Sequence, residues 1–487
     1  MIQPKTVKNA LVLMMATVGQ KLIAFVAFAV VARLTGPNIT GIYFFGVSVT
    51  SVFVVLSDLG MTPVVIRAIA GNREGSERLL GAAIRAKLLL IPIAVLASLG
   101  YGLATHQSTL IMATIAVACL VMSADALHLL FYGVLRGRQN LKPEALGMFI
   151  GQVLSAAVAI TAAILGWGPV GLASALLFGS VWNVLWAGLQ IRRLGLHLAT
   201  PVWADIISLS HQAVPFALAG MAVKVYSYVD SLMLQAFNGS TAVGYYAAAY
   251  KMTYAMQFLP LTFTAALYPA LSAAWADKEH EKLKSEFTGA LKLMTAVSFP
   301  IAAGLSALAP RYMTLFYGER FAGSIPAMQI LPWVLIPIFL DFPVGALLNG
   351  SNRAYPKTSA MIGTMVMNVI LNAILVPAYG PLGAAWAGVF SFWFLYFVGT
   401  MFTYPTAGGY GSMMWILARA IAGAAVSYAA WLYVGSFMPF PMACLFGGAV
   451  AVGTMFGLKL ITLKDVSPLW TIIKRKFLRR QETIHET

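Results

Sequence analysis

The sequence predicts an all-α integral membrane protein of about fourteen transmembrane helices. Three observations predict it. Only 10% of the 487 residues are charged and 60% are hydrophobic, whereas soluble domains carry about a quarter charged residues. The apolar runs are roughly 20 residues long and lack strict alternation, so they read as membrane-crossing helices and not as barrel strands. The positive charges recur at alternate ends of these runs instead of clustering in one patch.

The spans fall at about 9–32, 40–60, 80–104, 108–132, 144–166, 169–191, 208–236, 243–272, 288–309, 325–348, 357–377, 382–402, 413–433 and 439–461. The run at 243–272 is long for a bilayer and is expected to tilt or to extend into water. One set of loops holds Lys5 and Lys8; Arg67, Arg73 and Arg78; Arg136, Arg138 and Lys142; Arg192 and Arg193; Lys278, Lys282 and Lys284; Arg353 and Lys357; and Lys464, Lys474, Arg475, Lys476, Arg479 and Arg480. The opposite loops hold Arg33, Arg311 and Arg320, a ratio of 21 to 3. The positive-inside rule then places both termini in the cytoplasm, as an even number of spans requires. The net charge of +16 thus follows the helix ends, which argues for a bilayer and against nucleic acid. The tail KRKFLRR (474–480) reads as a stop anchor or a contact with anionic lipid. The first apolar run lacks a convincing cleavage site and reads as a signal anchor. Cys119 and Cys444 lie in apolar runs, which suggests lipid- or core-facing thiols and no disulfide or metal framework.

An internal repeat organises the spans. TGPNITGIY (35–43) matches NGSTAVGYY (238–246) at an offset of 203, with Gly36, Gly41 and Tyr43 falling on Gly239, Gly244 and Tyr246. GAAIRAKLLLIPIA (81–94) matches GALKLMTAVSFPIA (289–302) at an offset of 208, and GPVG (168–171) matches GPLG (380–383) at 212. The offset grows slowly, as small loop insertions would make it do. A six-helix repeat is even, so both copies enter the membrane in the same direction and form a parallel repeat. The expected units are 1–191, a first six-helix lobe; 192–206, a cytoplasmic linker; 207–403, a second six-helix lobe; 404–463, two appended helices; and 464–487, a basic tail. Two like bundles facing each other enclose a cavity near mid-membrane, which is transporter architecture.

The charges inside the spans are the candidate functional residues. Lys21 and Lys224 differ by 203 and are therefore equivalent in the two halves; Lys251 is a third cation in an apolar run. A lysine at mid-membrane costs about 3 kcal/mol on insertion scales, so it should face water, a partner or an anionic ligand. Lys224 and Asp230 lie about 240° apart around a helix, so Asp230 needs a partner elsewhere, and Lys251 is a candidate. Asp230 can serve as a structural pair or as a substrate or proton site. Tyr246, Tyr250 and Tyr254 share a helix face and can stack on sugar rings or simply pack. Arg85 and Lys87, near the end of the third span, read as interfacial, and Asp58 as a cap or gate contact; together the three mark a gate or cytoplasmic mouth. Asp125 and His128 share a face, which favours a polar helix contact over a metal site. Asp341 reads as a pairing or hinge-side group, and Arg419 as an inter-helix contact. Pro92 and Pro300 occupy equivalent points inside helices and invite kinks. GMFIG (147–151) offers a small-residue packing surface. The absence of GxxxxGK[ST], HExxH, paired cysteines and any sizeable soluble domain excludes a built-in nucleotide motor and disfavours an enzyme.

RLTGPNITGIYFFGVSVTSVFVVLSDLGMTPVVIR (33–67) resembles the first signature of the polysaccharide-exporter, Wzx-type oligosaccharide flippases, whose superfamily also holds multidrug extruders and lipid II flippases. YVDSLMLQAFNGSTAVGYYAAAYKM (228–252) resembles the second. The resemblance extends over nearly the whole chain. It implies a V-shaped, two-lobed carrier in the bacterial inner membrane that moves undecaprenyl-pyrophosphate-linked oligosaccharide to the periplasmic leaflet by alternating access. It implies that Lys21, Lys224 and Lys251 engage the pyrophosphate, with Asp230, Tyr246, Tyr250 and Tyr254 in the same cavity. Lysines in place of arginines do not supply bidentate geometry. Polysaccharide polymerase and assembly proteins are the partners the resemblance suggests. No cofactor is expected, and coupling to a proton or sodium gradient is left open. The alternatives are a lipid II flippase and a cation-coupled multidrug extruder; the excess of lysine over carboxylate weighs against the latter.

Overall fold

The computed structural model describes residues 4–71, 76–194, 203–407 and 411–462. Most of the linker expected at 192–206 and the basic tail lie outside the described residues. The helices are α1 (Pro4–Asp58), α2 (Met61–Ala70), α3 (Ser76–Ala104), α4 (Thr109–Gly137), α5 (Lys142–Ile164), α6 (Gly168–Arg193), α7 (Trp203–Ala255), α8 (Phe258–Ala276), α9 (His280–Ala307), α10 (Ala309–Tyr317), α11 (Ile325–Ile330), α12 (Leu335–Gly350), α13 (Ala354–Tyr379), α14 (Pro381–Ala407), α15 (Gly411–Phe437) and α16 (Phe440–Gly457). Among the described residues, twelve helical stretches are long and apolar enough to cross a membrane. Two of these, Met15–Asp58 and Ile207–Ala276, each hold two of the spans expected from sequence.

Both long stretches fold back at a glycine. Gly36 has φ 80° and ψ 173°, and Gly239 has φ 78° and ψ 178°. Glycine takes a positive φ without the steric cost a side chain would bring. Pro37 then follows Gly36, where its missing N–H costs nothing at a helix start. The reversal is visible in the side chains. The Lys251 ammonium lies 5.6 Å from the Phe28 ring centroid and 5.4 Å from that of Phe44; a straight helix would hold those rings about 24 Å apart. The Tyr246 hydroxyl likewise reaches back to Asp230, sixteen residues earlier.

The two reversals pack against each other with reciprocal geometry. A Cβ on Gly41 would lie 1.7 Å from the Ser240 carbonyl oxygen, and a Cβ on Gly244 would lie 1.9 Å from the Pro37 carbonyl oxygen. Residues 37 and 240 are themselves equivalent at the offset of 203, so each hairpin presses its glycine onto the same backbone point of the other. This is the contact of a local two-fold axis, and it matches the parallel repeat read from sequence.

Helices α4, α5 and α6 close tightly because Gly147, Gly151 and Gly179 leave no side chain between them: a Cβ on Gly179 would lie 2.0 Å from Ser155 Oγ and one on Gly151 2.5 Å from Asn183 Nδ2. The main core gathers buried side chains of α7, α8, α9, α12 and α14 around the second arm of α1. A smaller core joins α2, α3 and α4 to the start of α7. Helices α15 and α16 lie outside both repeats and pack on α9, where Trp431 lies 3.0 Å from the Cβ position of Gly304. Arg419 behaves as expected, reaching the Leu458 carbonyl at 3.5 Å and stacking on Trp415.

Two spans differ from their sequence description. The eighth is not one long tilted helix; it is interrupted between Ala255 and Phe258, just ahead of Pro260, whose nitrogen cannot donate to the preceding turn. The tenth is broken into α11, a 3-10 turn at Leu331–Val334, and α12, in a stretch that carries Pro326, Pro332 and Pro337. Pro92 and Pro300 by contrast stay inside continuous helices α3 and α9.

Candidate functional site

A cavity of about 630 Å³ lies among α1, α2, α3, α4, α5, α6 and the first arm of α7. It extends from mid-helix, at Val47 and Met122, to the helix ends away from Gly36, at Gly60, Arg136 and Phe216. Its polar lining includes Gln20, Ser51, Gln152, Ser155, Ser180 and Asn183. Lys224 projects into it from α7 and lies 5.7 Å from the Tyr228 ring.

Lys21 takes a different position from its repeat-mate. It rims a second space of about 520 Å³ bounded by Phe25, Met252, Met256, Pro300, Phe316 and Trp431, among others, from α1, α7, α9, α10 and α15. Lys21 is the one charged residue of that apolar lining. Lys251 lines neither cavity and lies against the Phe28 and Phe44 rings. Among the described residues, none of the three has a carboxylate within ion-pair distance.

The remaining candidates sort into pairs. Asp230 does not meet Lys251. It is 3% exposed, accepts a hydrogen bond from the Tyr246 hydroxyl through Oδ2, and leaves Oδ1 without a partner among the described residues. The fold-back at Gly239 sets residue 246 beside residue 230, whereas Lys251 stands about 7.5 Å farther along the arm and turns to Phe28 and Phe44. Tyr246, Tyr250 and Tyr254 do share one face, with Tyr250 and Tyr254 stacked at 4.1 Å between centroids. Tyr246 is 1% exposed, so that end of the stripe is packing; neither Asp230 nor the stripe lines either cavity.

Lys87 is not interfacial. It is 1% exposed and bound to Asp58 at 2.5 Å, while Arg85, two residues away, is exposed. Asp58 also accepts the Thr62 hydroxyl, so it ties α1, α2 and α3 together at the cavity wall. Asp341, expected as a pairing or hinge-side group, finds a partner, and so does Arg136, which the sequence showed only as a loop charge. Asp341 binds Lys357 at 2.5 and 2.6 Å, and Arg136 grips Glu144, with Nε 2.9 Å from both carboxylate oxygens.

Sequence reasoning underweighted Asp125. The Ser180 hydroxyl donates to its Oδ1 at 2.6 Å, which is the polar helix contact expected. Yet the side chain is 38% exposed and lines the same cavity as Lys224. His128 lies 3.5 Å from the same oxygen without hydrogen-bond geometry and stands edge-on to Tyr132. The signal was the excess of uncharged polar residues in α5 and α6, at Gln152, Ser155, Ser180 and Asn183; which of them face Asp125 is a tertiary matter.

Comparison with known proteins bears on this arrangement. A family model described as polysaccharide biosynthesis protein matches residues 6–275, and a MatE model matches residues 215–374. The chain is similar to the probable flippase AglR of Haloferax volcanii, 24% identical over 62% of this chain and 63% of that protein, less than two thirds of its length. It is similar to the probable low-salt glycan biosynthesis flippase Agl15 of the same organism, 21% identical over 76% of this chain and 77% of that one. It also resembles the lipopolysaccharide biosynthesis protein WzxC of Escherichia coli, 27% identical over 39% and 37% of the two chains. Among solved structures, the inward closed lipid II flippase MurJ aligns over 93% of this chain and 100% of its own, with a TM-score of 0.74 and 15% identity. An inward-facing MATE family transporter of the MOP superfamily aligns over 80% and 95%, with a TM-score of 0.67 and 19% identity. At these identities the structural likeness establishes the fold.

Proposed function

The chain belongs to the polysaccharide biosynthesis protein family, and from that premise we propose that it is a flippase: it carries an undecaprenyl-pyrophosphate-linked oligosaccharide from the cytoplasmic to the periplasmic leaflet of a bacterial inner membrane by alternating access. The observation that carries this reading is the placement of two cations without carboxylate partners among the described residues, Lys224 in a polar cavity and Lys21 at the rim of an apolar groove, with Lys251 nearby against Phe28 and Phe44. The substrate has the same three parts in the same order. The glycan fits a cavity rich in amide and hydroxyl groups, the pyrophosphate meets the ammonium groups, and the chain end of the lipid follows the groove past Phe25 and Met252 toward the bilayer. Charge-assisted hydrogen bonds to a phosphate gain strength when desolvated, which offsets the cost of holding lysines at that depth.

The orientation follows from the basic loops. Both termini are cytoplasmic, the Gly36–Gly239 end faces the periplasm, and the polar cavity lies toward the cytoplasm. The Gly41–Gly244 contact then keeps the halves together on the periplasmic side while substrate loads. Polysaccharide polymerase and assembly proteins would receive the product.

Transfer of a fluorescent polyprenyl-pyrophosphate oligosaccharide between leaflets of proteoliposomes tests the reading. Transfer by the wild-type protein and its loss in Lys21→Ala/Lys224→Ala supports it. Export of an organic cation, with no movement of the lipid-linked sugar, overturns it in favour of a drug extruder.

A further inference from the structure

Six ionisable side chains line the polar cavity: Asp58, Lys87, Asp125, His128, Arg136 and Lys224. Two cations are already spent on carboxylates. Lys87 is paired with Asp58, and Arg136 with the fully buried Glu144 of α5. His128 has no hydrogen-bond partner for Nδ1 among the described residues and is neutral unless protonated. Among the charged residues of the lining, this leaves one anion and one cation outside an ion pair, Asp125 on α4 and Lys224 on α7. They sit on different halves of the chain and line the same cavity, where opposite charges attract with little water between them to screen them. Asp125 is anchored from behind through Oδ1 by Ser180 of α6, so its position is fixed while its exposed edge stays available.

We infer that Asp125 is the exchangeable counter-charge of Lys224: in the empty carrier it balances the ammonium across the cavity, and the anionic group of the substrate displaces it. This rests on the proposed function, because it takes the arriving ligand to be a phosphate ester. The device explains how a carrier can present a lysine for an anion without leaving that charge uncompensated when the site is empty. It also predicts a division of labour. Lys224 attracts the substrate, and Asp125 limits how tightly it is held and so permits release. Because the two charges come from opposite halves, their attraction favours the arrangement in which the halves approach each other, and the substrate weakens that preference by taking Lys224 for itself.

The test is a double-mutant cycle on the full-length protein in detergent, with Asp125→Asn, Lys224→Met and the combination, read by thermal melting with and without farnesyl pyrophosphate as a short-chain probe. Lys224→Gln replaces Lys224→Met if the latter does not fold. Without probe, the two substitutions should be non-additive; with saturating probe the coupling should vanish. Asp125→Asn should bind the probe about tenfold tighter than wild type, and that gain should be absent when Lys224 is also replaced. Additive effects in the empty protein, with probe binding intact and dependent on Lys224, overturn the counter-charge alone. Coupling that persists unchanged under saturating probe overturns the exchange. Failure of the probe to stabilise either wild type or Asp125→Asn sinks the anion-binding reading and with it the exchange, whatever the coupling in the empty protein.

Discussion

The hairpin at Gly36 and the hairpin at Gly239 share a backbone and differ in their chemistry. Their glycine torsions agree within a few degrees, their second glycines press on equivalent carbonyls, and a lysine stands 15 residues before each turn, at Lys21 and Lys224. The side chains then part company. Where the second hairpin has Asp230, Lys251 and Tyr250, the first has Ala27, Ser48 and Val47 at the matching positions. Lys224 faces the polar cavity, and Lys21 rims the apolar groove. The lesson is that the backbone keeps the symmetry of the repeat while the side chains on it do not. Under the proposed function that asymmetry is expected, because an amphiphilic substrate has unlike ends.

The backbone side of the comparison should give the largest effect. Gly41→Ala and Gly244→Ala each drive a Cβ into a backbone carbonyl that cannot swing away. Each should lower stability by about 3 kcal/mol or more and abolish transport, measured by melting in detergent and by leaflet transfer. Gly453→Ala, with nothing within 4 Å of its Cβ position and outside both cavities, should do neither.

The chemical side comes next. Lys224→Ala should reduce transfer of the lipid-linked sugar by about tenfold, and Lys21→Ala/Lys224→Ala by about a hundredfold, the scale of one and two charge-assisted bonds to phosphate. Initial rates in proteoliposomes measure both. Equal and interchangeable losses for either lysine in substrates with and without a long lipid tail would remove the asymmetry argued above.

A third effect isolates the wall of the cavity. Asp58→Asn leaves Lys87 buried without its counter-ion and should cost about 3 kcal/mol, whereas Asp58→Asn/Lys87→Met should recover most of it, because the second substitution removes the buried lone charge. Melting curves of the two variants decide this. The smallest effect sharpens the original contrast. Tyr246→Phe removes the hydrogen bond to Asp230 and should cost about 1–2 kcal/mol. Tyr43→Phe, the matching position in the first hairpin, where Ala27 stands in place of Asp230 in the sequence, should cost less, and neither should change the transfer rate per folded molecule.

Much of this architecture was legible in the chain because lipid enforces it. A helix in hydrocarbon must satisfy its own backbone, so span number follows from apolar runs, and the repeat follows from Gly36, Gly41 and Tyr43 recurring at Gly239, Gly244 and Tyr246. The equivalence of Lys21 and Lys224 came from that same arithmetic. Partners did not. Asp230 turned to Tyr246 instead of Lys251, and Lys87 went inside while Arg85 stayed out, since a two-residue step on a helix swings a side chain by roughly 200°. The breaks in spans eight and ten needed proline to be weighed against neighbouring helices that can cover its freed backbone groups. Asp125 was visible as a residue but not as the counterpart of Lys224, because α4 and α7 lie about a hundred residues apart in sequence and meet only when the halves close on a common cavity. The sequence by itself determined where the chain crosses the membrane, where it reverses and which charges are left inside. Only the tertiary structure decided which charges neutralise one another and which remain for a ligand, because pairing is settled within a few ångströms and helix periodicity fixes only a face.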